Sequence, residues 1–560
     1  MSGYTGKLLR VNLTSGQISI EALDLDQAGK FIGGRGLGVW YLSQEVDPSV
    51  DPLSADNKVL FATGPLTGAP VPTSARYMVV TKSPLSGTVA SSNSGGFWGP
   101  ELKFAGYDMI IIEGKSPRPC YVTIRDDQVQ IHDAGDLWGK LVAETTDALI
   151  EAFGDQRARV LTIGPAGERM SPIAAVMNDK WRAAGRSGVG AVLGSKNLKA
   201  IVVRGTGRVQ SADPQKTKEV AKALQKRIKE NAVTGQGLPT YGTAVLVNII
   251  NESGVYPTRN FQEAYFPKAD QASGEVLAEK HLTGTEACYR CPIACGRKTR
   301  VDGVEGGGPE YETLWAFSAD CGVDDLGAVI KANRWCNEYG LDTISAGTTI
   351  ACAMELYQRG LLTDADLAGG AALQFGSGEA IVEWTRRMGA GEGLGARLAM
   401  GSYRLAESCG APELSMSVKK LELPAYDPRG IQGHGLQYAT ANRGGCHVRG
   451  YLIAPEILGV PEKLDPTHIE GKAVWAKTFQ DLTAVIDSLG LCLFTSFAYG
   501  PDDYRDLLNA VIGTDLTTEE MMTAGERIWN LERTFNLKAG IEADQDTLPK
   551  RLLTEPIPAG

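Results

Sequence analysis

Apolar and polar residues alternate along Lys7-Leu-Leu-Arg-Val-Asn-Leu-Thr-Ser-Gly-Gln-Ile-Ser-Ile, with a break at Thr14-Ser15-Gly16. That pattern predicts a hairpin. Unbroken apolar runs at Tyr77-Met-Val-Val-Thr, Met109-Ile-Ile-Ile-Glu and Ala200-Ile-Val-Val-Arg predict buried strands. Strand and turn texture fills the first two hundred residues, and then the period changes. Asp213-Pro214 has the form of a helix start, with proline at the first helical position, and a Lys/Glu-rich solvated face runs on to about residue 231. Leu326, Val329, Ile330 and Cys336 recur near a period of 3.6 and predict a helix across Asp325 to Asn337. After about residue 411, Pro- and Gly-rich loops give way to helical pattern. These shifts predict an α+β fold in three parts: a β-rich base domain (1–210), a mainly helical domain (211–410) and a mainly helical C-terminal domain (411–560). No repeat at a fixed period is visible.

Charge narrows the partners. The chain has 56 basic and 66 acidic residues, a net charge of −10, which argues against general binding to nucleic acid or to an anionic membrane. No run of eighteen apolar residues occurs and the opening residues lack the apolar core of a signal peptide, so a cytoplasmic location is expected. In a reducing compartment the ten cysteines are thiols or metal ligands rather than disulfides.

Three of those cysteines crowd into Cys288-Tyr-Arg-Cys291-Pro-Ile-Ala-Cys295, and a fourth ends Asp487-Ser-Leu-Gly-Leu-Cys492. Four thiolates hold zinc or an iron–sulfur cluster. A three-plus-one split favours a cubane cluster over structural zinc, which takes its ligands as two compact pairs. The alternative is a set of buried free thiols.

Glycine is abundant, 67 of 560 residues. Three stretches have the composition of anion-receiving loops: Gly33–Gly38, Ser91–Gly99 and Arg182–Gly190. Glycine and serine let successive N–H groups converge on an oxyanion, and arginine supplies a paired fork. None is a Walker loop, and each taken alone reads equally as a turn. Together in one domain they point to a large anionic ligand.

Several motifs occur in one order along the chain: Tyr4-Thr-Gly-Lys7, Gly34-Arg-Gly36, Arg182-Ala-Ala-Gly-Arg186, Gly194-Ser-Lys-Asn-Leu-Lys-Ala200, the cysteine loop, Pro309-Glu-Tyr-Glu312, Asn442-Arg-Gly-Gly-Cys-His447 and Asn530-Leu-Glu-Arg533. In that order they resemble the aldehyde ferredoxin oxidoreductase family of tungsten enzymes, over nearly the whole chain. The resemblance implies a tungsten atom held by two pterins (tungstopterin), a [4Fe–4S] cluster nearby and Mg2+ bridging the pterin phosphates. It also implies an aldehyde substrate and ferredoxin, or a ferredoxin-like subunit, as electron partner. Cys288, Cys291, Cys295 and Cys492 resemble the cluster ligands. Arg76 resembles the arginine between cluster and pterin. Asn93, Gly95, Ala183 and Gly185 resemble the phosphate seat, with Arg182 beside it. Asn337-x-x-Gly-Leu341-Asp342 and Asp487-x-x-Gly-Leu491-Cys492, continued by Leu493, resemble the two pterin-binding segments. Asn337 departs from the aspartate usual there, so that pairing loses its charge. Arg443 and Arg449 flank the His447 segment as further cofactor candidates.

Glu312 and His447 resemble the family's catalytic pair, suited to proton transfer and carbonyl polarisation. Glu310 would point to the same face if that segment is extended, and Tyr426 resembles a tyrosine near the substrate in one branch. Glu-x-x-His is absent from the sequence, so the metal-bridged dimer of some members is not expected, while other homo- or hetero-oligomers stay open. Two further readings are open. One is an aromatic acyl-CoA ring-reducing subunit with the same cofactor, in which Cys321 becomes a candidate tungsten ligand. The other is a non-catalytic iron–sulfur electron carrier, which needs the cysteines but neither the glycine loops nor the Glu312–His447 pair. Molybdenum in place of tungsten also stays open.

Overall fold

Twelve strands build the first part of the chain: β1 Lys7–Asn12, β2 Ile18–Ala22, β3 Val59–Thr63, β4 Tyr77–Lys82, β5 Val89–Ser94, β6 Met109–Glu113, β7 Cys120–Arg125, β8 Gln128–Asp133, β9 Arg159–Thr162, β10 Val176–Asn178, β11 Arg182–Ala184 and β12 Leu198–Arg204. The structure is a computed structural model describing residues 2–558. Met1, Ala559 and Gly560, at the outer bounds of the expected first and third domains, lie outside the described residues.

The strands form two six-stranded sheets, in the orders β2-β1-β6-β3-β4-β5 and β8-β7-β12-β9-β10-β11. Adding six to each strand number of the first order gives the second. Pairing direction repeats as well, since the β1–β6 and β7–β12 pairs are parallel and the rest are antiparallel. The base therefore repeats one strand topology twice, without a repeat at a fixed period in the sequence. The two halves share topology rather than residues, so periodicity in the sequence could not reveal them.

The hairpin and the three apolar runs form as their patterns predict. Alternate residues of each sheet make the core between them: Leu9, Phe61, Val79 and Ile110 pack in one cluster with Val122, Leu161, Ile201 and Trp98. Each such side chain contributes roughly 1.5–3 kcal/mol on burial. The opposite face of the first sheet, including Leu8, Leu60 and Val80, is covered by helices Gly34–Glu45 and Thr518–Lys538 through Leu37, Leu42, Ile528 and Phe535.

Gly33–Gly38 is thus not an anion loop. It opens a buried helix, and a Cβ at Gly36 would stand 2.1 Å from the Phe31 carbonyl oxygen and 2.6 Å from Ile528. Its glycines permit close packing, and its arginine is spent internally: Arg35 makes a bidentate pair with Glu532, 2.7 Å at each contact, with both groups buried.

Helices dominate after residue 213. Asp213 caps Pro214–Glu230 by accepting from Lys216 N at 2.8 Å, and Asp325 caps Leu326–Tyr339 by accepting from Ala328 N at 3.1 Å. A long helix, Lys472–Leu489, ends next to the first sheet. Among the described residues, no helix is long and apolar enough to cross a membrane.

Candidate active site

The duplication sets the site. Gly64 directly follows β3 and Gly164 lies two residues past the end of β9, and each meets the C-terminal end of a helix from the later part of the chain. A Cβ on Gly64 would lie 2.2 Å from the Leu489 carbonyl oxygen, and one on Gly164 would lie 2.2 Å from that of Tyr339. The facing residues, Gly490 (φ +85°) and Gly340 (φ +71°), are left-handed helix caps. Each cap carbonyl accepts from the residue that precedes the next strand, Arg76 N to Gly490 O at 3.2 Å and Ala175 N to Gly340 O at 2.8 Å. Two matched backbone seats result. They differ just beyond the cap, where one continues as Leu341-Asp342 and the other as Leu491-Cys492.

The Gly490 seat brings Cys492 back to the cysteine loop. Tyr289 N donates to Gly96 O (3.0 Å) and Thr73 N to Arg290 O (3.0 Å), which pins that loop to the first sheet. Cys288, Cys291, Cys295 and Cys492 then line one small cavity with Arg76, Ile293 and Phe494. Arg76 Nη2 lies 3.1 Å from Cys492 Sγ, and Nη1 donates to Asn93 Oδ1 at 3.0 Å. Burial, reinforced by the neighbouring sulfurs, pushes Cys291 up to about 11, and burial with Glu310 nearby raises Cys295 further. Burial thus keeps these two thiols neutral at physiological pH.

Arg76 also lines the main cavity, whose empty volume is about 1330 Å³. Its walls include Gly95, Arg182, Ala183, Gly185, Asn337, Leu341, Asp342 and Leu493 from the cofactor set, and Glu310, Glu312, Tyr426 and His447 from the catalytic set. Gly95 and Gly185 follow the equivalent strands β5 and β11. A Cβ on Gly185 would meet nothing closer than 3.9 Å, so this turn faces open space. A Cβ on Gly95 would strike Cys288 Sγ at 2.8 Å.

Five expected residues stand behind the wall. Asn93 bridges Arg76 and Asp487, donating to Asp487 Oδ1 at 3.1 Å. Asp487 is also paired with Arg449. Arg443 donates to Ser91 O (2.9 Å) and contacts Cys446 Sγ (2.9 Å). Leu491 is buried in an apolar cluster with Ile486 and Ile293.

Glu310 and Glu312 do not alternate on an extended segment as the sequence suggested. Glu310 precedes helix Tyr311–Phe317, in which Glu312 occupies the first turn. Glu310 is exposed and accepts from the Thr243 hydroxyl at 2.6 Å. Glu312 is buried: Oε2 accepts from Ala425 N at 3.0 Å, while Oε1 has no hydrogen-bond partner and lies 3.6 Å from His447 Nε2. Burial raises the Glu312 carboxyl to about 8. Burial, with Arg186 adding to it, holds His447 well below the usual imidazole range, so the imidazole is neutral. Tyr426 belongs to an aromatic wall, its ring 5.6 Å from Tyr311 and 6.1 Å from His447, with its hydroxyl 3.3 Å from that of Tyr451.

Two residues escaped the sequence reading. Arg186 is buried and ties the second turn to the His447 segment, donating to Gly445 O (2.6 Å), Glu422 O (2.8 Å) and Asp342 Oδ2 (3.1 Å). Its place in Arg182-Ala-Ala-Gly-Arg186 was the available signal. His434, which no motif marked, is buried against Tyr426 and Tyr438 with both ring nitrogens unpaired, and burial lowers it to about 3. Cys321 does not line the cavity. It is buried in the helical core with its thiol toward Ala316 O at 3.3 Å, the packing role.

Two family models match the chain, "Aldehyde ferredoxin oxidoreductase, N-terminal domain" over residues 8–205 and "Aldehyde ferredoxin oxidoreductase, domains 2 & 3" over residues 219–560. The chain belongs to the aldehyde ferredoxin oxidoreductase family. Among curated members, the tungsten-containing aldehyde ferredoxin oxidoreductases of Pyrococcus furiosus and Pyrococcus abyssi are 54% and 56% identical, each match covering 100% of this chain and 93% of the relative. A solved structure, the active-site complex BamBC of benzoyl coenzyme A reductase with 1,5-dienoyl-CoA, is 27% identical with a TM-score of 0.85, covering 100% of this chain and 92% of that one. That likeness carries the α+β architecture of the family to this member.

Proposed function

We propose that this protein oxidises aldehydes to carboxylic acids at a tungsten–bis-pterin centre and passes the electrons, through a [4Fe–4S] cluster, to ferredoxin or a ferredoxin-like partner. The observation that carries the reading is one cavity joining the duplicated glycine turns, the cysteine loop and the Glu312–His447 pair. Family membership, and relatives above 50% identity over the whole chain, support it.

The residues fit the cofactors. The matched seats at Gly340 and Gly490 suit a ligand of two like halves. The turns at Gly95 and Gly185 would take its phosphates, with Ala183 and Arg182 beside them and Mg2+ between. Asn337, Asp342 and Asp487 would hold the pterin edges, with Arg443 and Arg449 as supporting cations. Cys288, Cys291, Cys295 and Cys492 would hold the cluster, and Arg76, touching both cavities, would stabilise charge between the two centres. When bound, the metal centre would supply a two-electron acceptor able to pass electrons on singly.

The chain's own chemistry is proton handling. Oxidising an aldehyde adds a water oxygen and releases two protons and two electrons. Glu312, titrating near 8, takes a proton from the water as its oxygen joins the carbonyl carbon. Neutral His447 donates an N–H to the carbonyl oxygen. Tyr426 and its aromatic neighbours wall the reacting groups off from bulk solvent. Glu310 supports the Thr243 contact at the start of the helix that carries Glu312.

Metal analysis of the purified protein, paired with aldehyde-dependent viologen reduction, tests the reading. Tungsten, about four irons per chain and reduction with several aldehydes are expected. Tungsten without aldehyde activity, together with activity on an aromatic acyl-CoA, would replace it with ring reduction. Iron without tungsten or pterin would leave an electron carrier.

A further inference from the structure

Beyond the main cavity, the cysteine loop has an outer side. There an open groove, about 1780 Å³ in empty volume, is lined by Cys288 and Cys291, which also line the small cavity among the four thiols. One wall is the helix Pro214–Glu230, which turns Lys218 and Lys222 into the groove at i, i+4 spacing. Arg290, between the two cysteines in sequence, lies across from it, and Phe97 adds an aromatic surface. Lys218, Lys222 and Arg290 are exposed. None of the three is in an ion pair among the described residues, and no carboxylate lines the groove. Three uncompensated cations on a chain of net charge −10 make a local field opposite in sign to the whole.

We propose that this groove is the docking face for an acidic electron-carrier protein. The inference rests on the reading that the four thiols hold a cluster and that electrons leave through it. The step itself is an outer-sphere transfer. The reduced cluster gives one electron to the oxidised carrier, no bond forms or breaks, and two carriers are needed per aldehyde. Two of the thiols reach the groove directly, so a carrier seated there is separated from the cluster by little more than their side chains. Charge complementarity is the device that orients a transient partner, raising the encounter rate more than the affinity. A few cations around a small apolar floor suit the weak, low-area contacts of redox partners.

The test compares Lys218→Glu/Lys222→Glu with the control Lys226→Glu/Lys229→Glu, which reverses as much charge further along the same helix at positions that do not line the groove. The probe is a purified acidic [4Fe–4S] ferredoxin, immobilised for binding measurements and free in solution for turnover. Expected for the groove variant are wild-type iron and tungsten, retained viologen reduction, and binding weakened on the order of ten-fold or more with a flattened salt dependence. The KM for ferredoxin should rise in parallel, and the control should behave as wild type. Wild-type binding in the groove variant, or equal loss in the control, overturns the proposal. So does a groove variant that turns a dimer into a monomer, because the face then joins two copies of this chain. Binding is read without aldehyde. A wild-type protein that binds ferredoxin through the groove yet oxidises no aldehyde therefore refutes the substrate reading and leaves the docking face standing.

Discussion

Glu312 and His447 stand 3.6 Å apart, Oε1 to Nε2, and neither carries its ordinary charge: burial keeps the carboxyl protonated up to about 8 and the imidazole neutral. At neutral pH they form a neutral pair rather than an ion pair. Because the base form of Glu312 appears only as pH rises through about 8, kcat should rise with pH across that range. The pH–rate profile of Glu312→Gln should lack that limb. A wild-type rate that falls across the same interval would make Glu312 an acid and reverse its role.

Substitution separates the two glutamates. Glu312→Gln and His447→Ala should each keep tungsten and iron while losing about 10²-fold or more in aldehyde oxidation, the scale of a lost acid–base or polarising group. Glu310→Gln should be milder, because that carboxylate is exposed and bonded to Thr243. Steady-state kinetics with two aldehydes of different size checks the order.

The glycine turns are expected to fail differently. Gly185→Leu projects into open space and should yield folded protein depleted of pterin and tungsten with iron retained. Gly95→Val should lose iron as well, since its Cβ meets Cys288 Sγ at 2.8 Å. Metal analysis of both variants decides, and full tungsten occupancy in both would reduce the loops to turns.

Cys492→Ser should lower iron content or shift the cluster potential. The variant leaves one corner of the four-thiol cavity without sulfur and takes from Arg76 its 3.1 Å contact. Iron analysis and low-temperature paramagnetic resonance would register the change, and an unaltered spectrum would place the fourth ligand elsewhere.

Glu532→Ala should cost about 3–5 kcal/mol in stability, because buried Arg35 then loses its bidentate partner and keeps only Asp487, 3.5 Å away. Replacing both residues by apolar ones of similar size should recover most of that loss. Denaturant unfolding of the two variants measures the difference.

Much of the fold was legible in the chain because local rules decide it. Hairpin, buried strands and capped helices arise from residues a few positions apart, as Asp213 and Asp325 illustrate. The cysteine set could be named because clustered soft ligands are rare, and the Glu312–His447 pair because its two segments resemble the family's catalytic pair. The hidden features depend on distant contacts. Gly34-Arg35-Gly36 and Asn530-Leu-Glu532-Arg533 looked like separate motifs, and they meet as one buried ion pair nearly five hundred residues apart in sequence. The Gly33–Gly38 run reads as an anion loop until helix packing shows what needs the missing side chains. The duplicated base lies in strand order alone, which leaves no periodic trace.

Cys492 is separated from its three companions by nearly two hundred residues, and Gly490 is the hinge that returns it. A nascent chain that has emerged only as far as the cysteine loop therefore presents three thiols and an open corner. In the proposed cluster the fourth ligand would become available only once the chain has emerged past residue 492 and the helix Lys472–Leu489 has docked on Gly64. Assembly of the proposed centre would in this way wait for nearly all of the chain, since a chain cut before Cys492 would present only three of the four thiols.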